Sequence, residues 1–197
     1  MELRIISGIF KGRAIHFPKG HAVRPTRGEV REALFNILGP RIQGAKVLDL
    51  FAGTGALGLE ALSRGAREVV FAEREAACAE ALRKTLAQIG IPQGVAVEVM
   101  EQDVFASLRR LGRDGKTFDL ILADPPYEGA GARKSLKLVA RYATLSPSGI
   151  MVVEGENKTE MPPQVQADTE PPRTLTQVRS VSYGDTTLKF YEWETEA

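Results

Sequence analysis

The sequence predicts an α/β fold in which a doubly wound, mostly parallel, seven-stranded sheet follows a small N-terminal extension of a β-hairpin and a helix. Three observations predict it. From residue 46 onward short apolar runs alternate with longer helix-patterned segments, the signature of parallel βαβ units. The first run feeds directly into a glycine-rich turn that opens a helix. Near the C-terminus two strand-like segments flank Ser182-Tyr183-Gly184-Asp185, a turn signal that predicts an antiparallel hairpin joined to the parallel strands.

The elements follow in order. Arg4 to Gly8 and Arg13 to Phe17 read as two short strands around Ile9-Phe10-Lys11-Gly12. Thr26 with Glu29 three residues later fits a capping box. Val30, Leu34, Ile37 and Leu38 then recur at helical spacing until Gly39-Pro40 ends the pattern. Buried strands are expected at Val47 to Phe51, Val69 to Ala72, Val95 to Met100, Phe118 to Ala123 and Ile150 to Val153. The helices between them are expected at Leu57 to Arg64, Glu75 to Ile89, Val104 to Leu111 and Arg133 to Tyr142. Residues 155–172 carry Pro162-Pro163 and Pro171-Pro172 among polar residues and read as a loop. Leu175 to Val181 and Thr186 to Trp193 supply the last two strands. The division expected is an extension over residues 1–40 and a main domain over residues 41–197.

Composition narrows the function classes. At 197 residues, 43% hydrophobic and 26% charged, the chain falls among ordinary globular proteins, with no apolar run long enough for a membrane span and no apolar leader. A cytoplasmic location is expected. Cys78 is the only cysteine and His16 and His21 the only histidines, so neither a disulfide nor a metal site is expected. Cys78 reads as a packing residue, and the histidines as surface or strand residues. The net charge of +1 hides an asymmetry: residues 1–31 carry seven Lys/Arg against Glu2 and Glu29, while the remainder is net acidic. That basic arm, with Arg4, Lys11, Arg13, Arg24 and Arg27, is either a solvated surface or the footprint of a nucleic acid.

Chemistry concentrates at the strand ends. Asp49-Leu50-Phe51-Ala52-Gly53-Thr54-Gly55-Ala56-Leu57-Gly58 satisfies G-x-G-x-x-G between strand and helix, and Glu73 follows at the end of the second strand, placed to accept ribose hydroxyls. A nucleoside cofactor is implied. Nicotinamide dinucleotides use the same loop, but a carboxylate at Asp49 would repel their pyrophosphate, whereas it suits the ammonium and sulfonium of S-adenosylmethionine. Asp49 could equally accept backbone N–H bonds from the loop that follows it. Asp103, just ahead of Val104, could cap a helix, accept a hydrogen bond from an adenine amino group, or do both.

The fourth strand ends in Asp124-Pro125-Pro126-Tyr127. The prolines have no N–H and fix the local backbone, leaving the Asp124 carboxylate and the Pro125 carbonyl to accept both hydrogens of an exocyclic amino group. Held so, the nitrogen lone pair is aimed at the methyl group, and positive charge developing on nitrogen is stabilised. Tyr127 could stack on an extracted base. No further general base is needed, because the methylated nitrogen is a far stronger acid and loses its proton to water.

Together these motifs resemble class I S-adenosylmethionine-dependent methyltransferases of exocyclic amino groups, which have a Rossmann-like fold. Arg24-Pro25-Thr26, Val30-Arg31-Glu32-Ala33-Leu34-Phe35-Asn36, Gly55 through Ser63-Arg64-Gly65-Ala66, and Tyr183-Gly184-Asp185-Thr186 are similar to the RsmD family of ribosomal RNA guanine-N2 methyltransferases, nearly end to end. The resemblance implies methylation of a guanine in 16S rRNA, in an assembling small-subunit particle, by a monomer. It assigns Asp124, Pro125, Pro126 and Tyr127 to catalysis. Asp49, Phe51, Ala52, Gly53, Thr54, Gly55, Glu73, Asp103, Val104 and Thr26 would hold the cofactor, and Arg4, Lys11, Arg13, Arg24 and Arg27 the RNA. Two positions depart from the pattern: Gly28-Glu29 stands where the family has Asp-Arg, and Thr85 where it has Asn. The other readings open at this point are an amino methyltransferase for DNA adenine or a protein amide, a nicotinamide-dependent oxidoreductase, and a noncatalytic RNA-binding assembly factor.

Overall fold

The computed structural model describes residues 3–18, 28–126, 130–169 and 172–194. Eight strands and five helices are formed among them, in two compact units divided between Asp103 and Val104. One strand more than expected is present. In the first unit α1 (Gly28–Leu38) and a 3-10 turn (Gly39–Ile42) lead into β1 (Lys46–Leu50), α2 (Ala56–Ser63), β2 (Glu68–Glu73), α3 (Ala76–Ile89) and β3 (Ala96–Glu101). The strands lie in the order β3-β2-β1 and are parallel, with Lys46 opposite Glu68 and Glu68 opposite Ala96. β3 departs from the expectation of burial: Ala96, Glu98 and Glu101 are exposed and only Met100 is buried, as suits a strand whose glutamates point to solvent.

All eight residues of α2 are buried, Glu60 and Ser63 included. The helix ends in a Schellman motif: Gly65, at φ +98°, donates to the Leu62 carbonyl, and Ala66 donates to the Ala61 carbonyl. Glycine is favoured at position 65 by that positive φ, which a side chain rarely adopts.

The N-terminal segment forms a hairpin closed by a single antiparallel bridge, Arg4 to Ala14, and not by the two strands expected. The reason lies in where its N–H groups go. Ile6 and Ser7 donate to the Glu60 carboxylate (2.8 and 2.9 Å), Ile9 donates to the Ser63 carbonyl (2.8 Å), and Phe10 donates to the Ser63 hydroxyl (2.9 Å). These donors are spent on α2, so few remain to pair across the hairpin.

In the second unit α4 (Val104–Arg113), β4 (Phe118–Ala123), α5 (Ala130–Tyr142) and β5 (Leu145–Glu156) precede β6 (Gln164–Gln166), β7 (Thr174–Tyr183) and β8 (Thr186–Trp193). β4 and β5 are parallel, and β5-β8-β7-β6 continue antiparallel, so the expected C-terminal hairpin is β7-β8. The expected loop over 155–172 is partly strand: β5 runs on to Glu156 because β8 pairs with it through Thr186, and β6 pairs with β7 at Val165 and Leu175. The chain between them is tied down by Lys189, whose Nζ donates to the Thr159 carbonyl, and by Tyr191, whose hydroxyl donates to the Pro162 carbonyl.

Candidate functional site

The glycine loop is built on β1, whose interior residues Val47, Leu48 and Leu50 are fully buried. Directly after the strand Phe51 adopts φ +59°, a left-handed conformation that costs a non-glycine residue about 1–2 kcal/mol and is kept only where surrounding contacts impose it. The contacts that shape the turn are visible. Ala52 donates to the Ala72 carbonyl (3.1 Å), Gly53 to Glu73 Oε2 (2.7 Å), and Gly55 to the Ala52 carbonyl (2.7 Å). Gly53 and Gly55 sit at φ +55° and +81°. The third glycine of the motif, Gly58, permits close packing, because a Cβ there would stand 2.3 Å from Phe71 Cε1 on β2.

Glu73 is buried and bridges two segments, accepting from Gly53 through Oε2 and from Glu75 through Oε1 (2.8 Å). Each carboxylate oxygen has a second lone pair, so these bonds fix the side chain while leaving acceptor capacity. Cys78, on the next helix, has its thiol pKa pushed up by burial and by the negative charges of Glu73 and Glu75. It packs, and its thiolate is disfavoured.

Asp49 is 1% exposed, and its Oδ2 accepts the Gly58 N–H at 2.8 Å. The backbone-acceptor reading of this residue is therefore the one the geometry displays. Leu59 donates to the Gly55 carbonyl. The third N–H of α2, one of the helix's unpaired first-turn donors, is taken by the chain's own carboxylate.

Asp103 is exposed between β3 and α4, and Val104 beside it is buried. In the second unit Asp124 follows β4 directly and is half-buried, Pro125 is buried and Pro126 is exposed. Tyr127, Thr26, Arg24 and Arg27 lie outside the described residues. Arg4, Lys11 and Arg13 are all exposed on the hairpin, and the Arg4 guanidinium donates to the Gly12 carbonyl (2.6 Å).

Sequence reasoning missed the residues that hold the hairpin. Glu60 accepts from Ile6 and Ser7 and pairs with Arg64 Nε at 2.8 Å; Arg31 Nε lies 3.8 Å away, and Arg31 Nη2 donates to the Arg4 carbonyl. Arg31 is 1% exposed with Nε and Nη1 lacking hydrogen-bond partners, and burial lowers its pKa. Thr85 accepts the His16 N–H and donates to the Ala81 carbonyl, so the departure at position 85 serves the same hairpin. One signal was available: a glutamate within an otherwise apolar helix must be paired if that helix is buried.

Comparison with known proteins places this geometry. The family model described as Conserved hypothetical protein 95 matches residues 3–192. Ribosomal RNA small subunit methyltransferase D of Haemophilus influenzae is 36% identical over 155 residues, 79% of this chain and 79% of its own length. YlbH of Bacillus subtilis, named as a candidate rRNA methyltransferase, is 32% identical over 190 residues, 96% of this chain and 98% of its own. A solved structure of the candidate methyltransferase yhhF from Escherichia coli matches with a TM-score of 0.81 at 31% identity, covering 100% of both chains. With a family match over nearly its whole length and relatives above 30% identity, the chain belongs to the Conserved hypothetical protein 95 family, that is, the RsmD family of Rossmann-like methyltransferases.

Proposed function

We propose that this protein is an rRNA methyltransferase that uses S-adenosylmethionine to methylate the N2 amino group of a guanine in 16S rRNA, acting as a cytoplasmic monomer on an assembling small subunit. The observation that carries the cofactor reading is the bond from Gly58 N–H to Asp49. A buried carboxylate at the head of α2 repels a pyrophosphate, which argues against the oxidoreductase alternative. The same negative charge favours a ligand bearing ammonium and sulfonium groups. The remaining lone pairs of Glu73 suit ribose hydroxyls, and Asp103 suits the adenine amino group.

When bound, the cofactor supplies an electrophilic methyl group on sulfur. The chain's part is to bind and orient. The Asp124 carboxylate and Pro125 carbonyl accept the two amino hydrogens, which lifts the nitrogen lone pair out of conjugation and stabilises the charge that grows on nitrogen as the N–C bond forms and the S–C bond breaks. The surplus proton then leaves to water. Tyr127 is assigned to stacking on the target base, and Arg4, Lys11 and Arg13, with Arg24 and Arg27, to phosphate contacts.

The test is methyl transfer from labelled S-adenosylmethionine to small-subunit RNA from cells lacking this protein, followed by nucleoside analysis. The expected result is N2-methylguanosine at one site, with Asp124→Ala slower by about 10²–10³-fold and cofactor affinity retained. Label in a different nucleoside, or an undiminished Asp124→Ala variant, overturns the assignment. Relatives carrying the rRNA methyltransferase name over 79% or more of their length support rRNA over DNA or protein as the substrate.

A further inference from the structure

The hairpin tip combines three properties that the methyl-transfer chemistry does not require. Ile9 is 68% exposed, one of only two large apolar side chains so placed among the described residues. Its surroundings are cationic: Arg4, Lys11 and Arg13 are exposed, and no acidic residue occurs from position 3 to 18. Its backbone is pinned. Ile9 N–H donates to the Ser63 carbonyl, Phe10 N–H to the Ser63 hydroxyl, and Gly8, at φ +81°, passes so close that a Cβ would lie 1.8 Å from the Ser63 carbonyl oxygen. Phe10, Ile5 and Ile15 turn inward and are buried, and Leu3, Ile6 and Phe17 are half-buried, so Ile9 is the most exposed apolar side chain among residues 3–18.

A singly exposed apolar side chain needs no explanation of its own; what distinguishes Ile9 is its combination with a turn fixed to α2 and three flanking cations. Charge complementarity selects a polyanion. Proteins that must unstack nucleic acid bases insert apolar wedges while cations hold the flanking phosphates. A paired guanine keeps one N2 hydrogen in the base pair and shows the other only at the minor-groove edge, so holding both in protein acceptors requires extraction of the base. We propose that Ile9 is an apolar wedge that packs against base or ribose faces of the rRNA substrate, with Lys11 and Arg13 on the adjoining phosphates. This rests on the rRNA methyltransferase reading.

The experiment compares wild type with Ile9→Ala, Ile9→Leu and the double variant Lys11→Ala/Arg13→Ala. It measures affinity for protein-free small-subunit RNA across a salt series, methyl transfer to small-subunit particles, and cofactor affinity by calorimetry. Ile9→Ala is expected to bind RNA about tenfold more weakly with an unchanged salt slope, Ile9→Leu to recover most of that loss, and the double variant to flatten the slope. Cofactor affinity stays the same in all of them. Ile9→Ala binding within twofold of wild type overturns the wedge, and a loss confined to particles, absent on protein-free RNA, overturns RNA as the partner in favour of a ribosomal protein. Wild type that binds RNA but transfers no methyl counts against the functional reading and leaves the wedge supported by the binding series.

Discussion

Replacing Glu60 by alanine should cost more than any other single change on the surface-distant side of the hairpin. The carboxylate is fully buried and accepts three hydrogen bonds, from Ile6 N–H at 2.8 Å, Ser7 N–H at 2.9 Å and Arg64 Nε at 2.8 Å. It is also the anion nearest Arg31, whose burial already lowers its pKa and whose Nε and Nη1 have no hydrogen-bond partner. Bonds to a charged group contribute about 1.5–3 kcal/mol each, but they are not additive, and the better guide is removal of one partner from a buried pair, about 3–5 kcal/mol. For a chain of this size that lowers the melting temperature by roughly 6–20 °C. Urea unfolding followed by circular dichroism measures the loss, and hydrogen exchange at Ile6 and Ser7 localises it. Adding Arg31→Met should recover part of the stability, because the uncompensated charge is gone. A loss below about 1 kcal/mol, with Ile6 and Ser7 amides still protected, would refute the claim that Glu60 anchors the hairpin.

Two further outcomes follow from the same geometry. Gly8→Ala should destabilise clearly more than Gly12→Ala in thermal denaturation: both positions have φ +81°, so both carry the strain of about 1–2 kcal/mol, but only Gly8 also faces the Ser63 carbonyl while Gly12 has open space. Equal losses would show that the contact with α2 is absent in solution. Burial pushes the Tyr191 hydroxyl up to about 12, from 10.0. The folded state therefore favours the neutral phenol, so stability is intact below about pH 10 and falls as pH rises toward 12. Tyrosinate absorbance should show a late-titrating phenol that Tyr191→Phe removes, and the same substitution should flatten the alkaline loss.

The alternation of apolar runs and helical segments made the parallel strands legible, because buried strands between crossover helices must be continuous and apolar. The glycine loop was legible for a different reason: its residue types are dictated by backbone geometry, which is local. What was hidden is non-local. Nothing near Ile6 announces that its N–H donates to a carboxylate at position 60, so a hairpin anchored to α2 read as two paired strands. β6, only Gln164–Gln166, is held by its partner β7 and carries too little pattern of its own to be seen. Asp49 was ambiguous between a ligand-facing charge and a backbone acceptor, and the Gly58 bond displays the second.

That bond is one of several that fix α2 along its length. Asp49 fixes the first turn of α2, Glu60 its middle, and Ser63 with Gly65 its end, while the hairpin hangs from Glu60 and Ser63. Helix α2, about 12 Å long, is thus a rigid spacer between the glycine loop and the basic tip. A helix buried on every side cannot shift without breaking its packing, so the loop and the tip cannot move independently. Within this unit the separation between glycine loop and basic tip is preset by the fold. On the proposed rRNA methyltransferase reading, an RNA must reach the tip while its target meets the methyl donor, so Glu60→Ala, which frees the hairpin from α2, should weaken RNA binding more than cofactor binding.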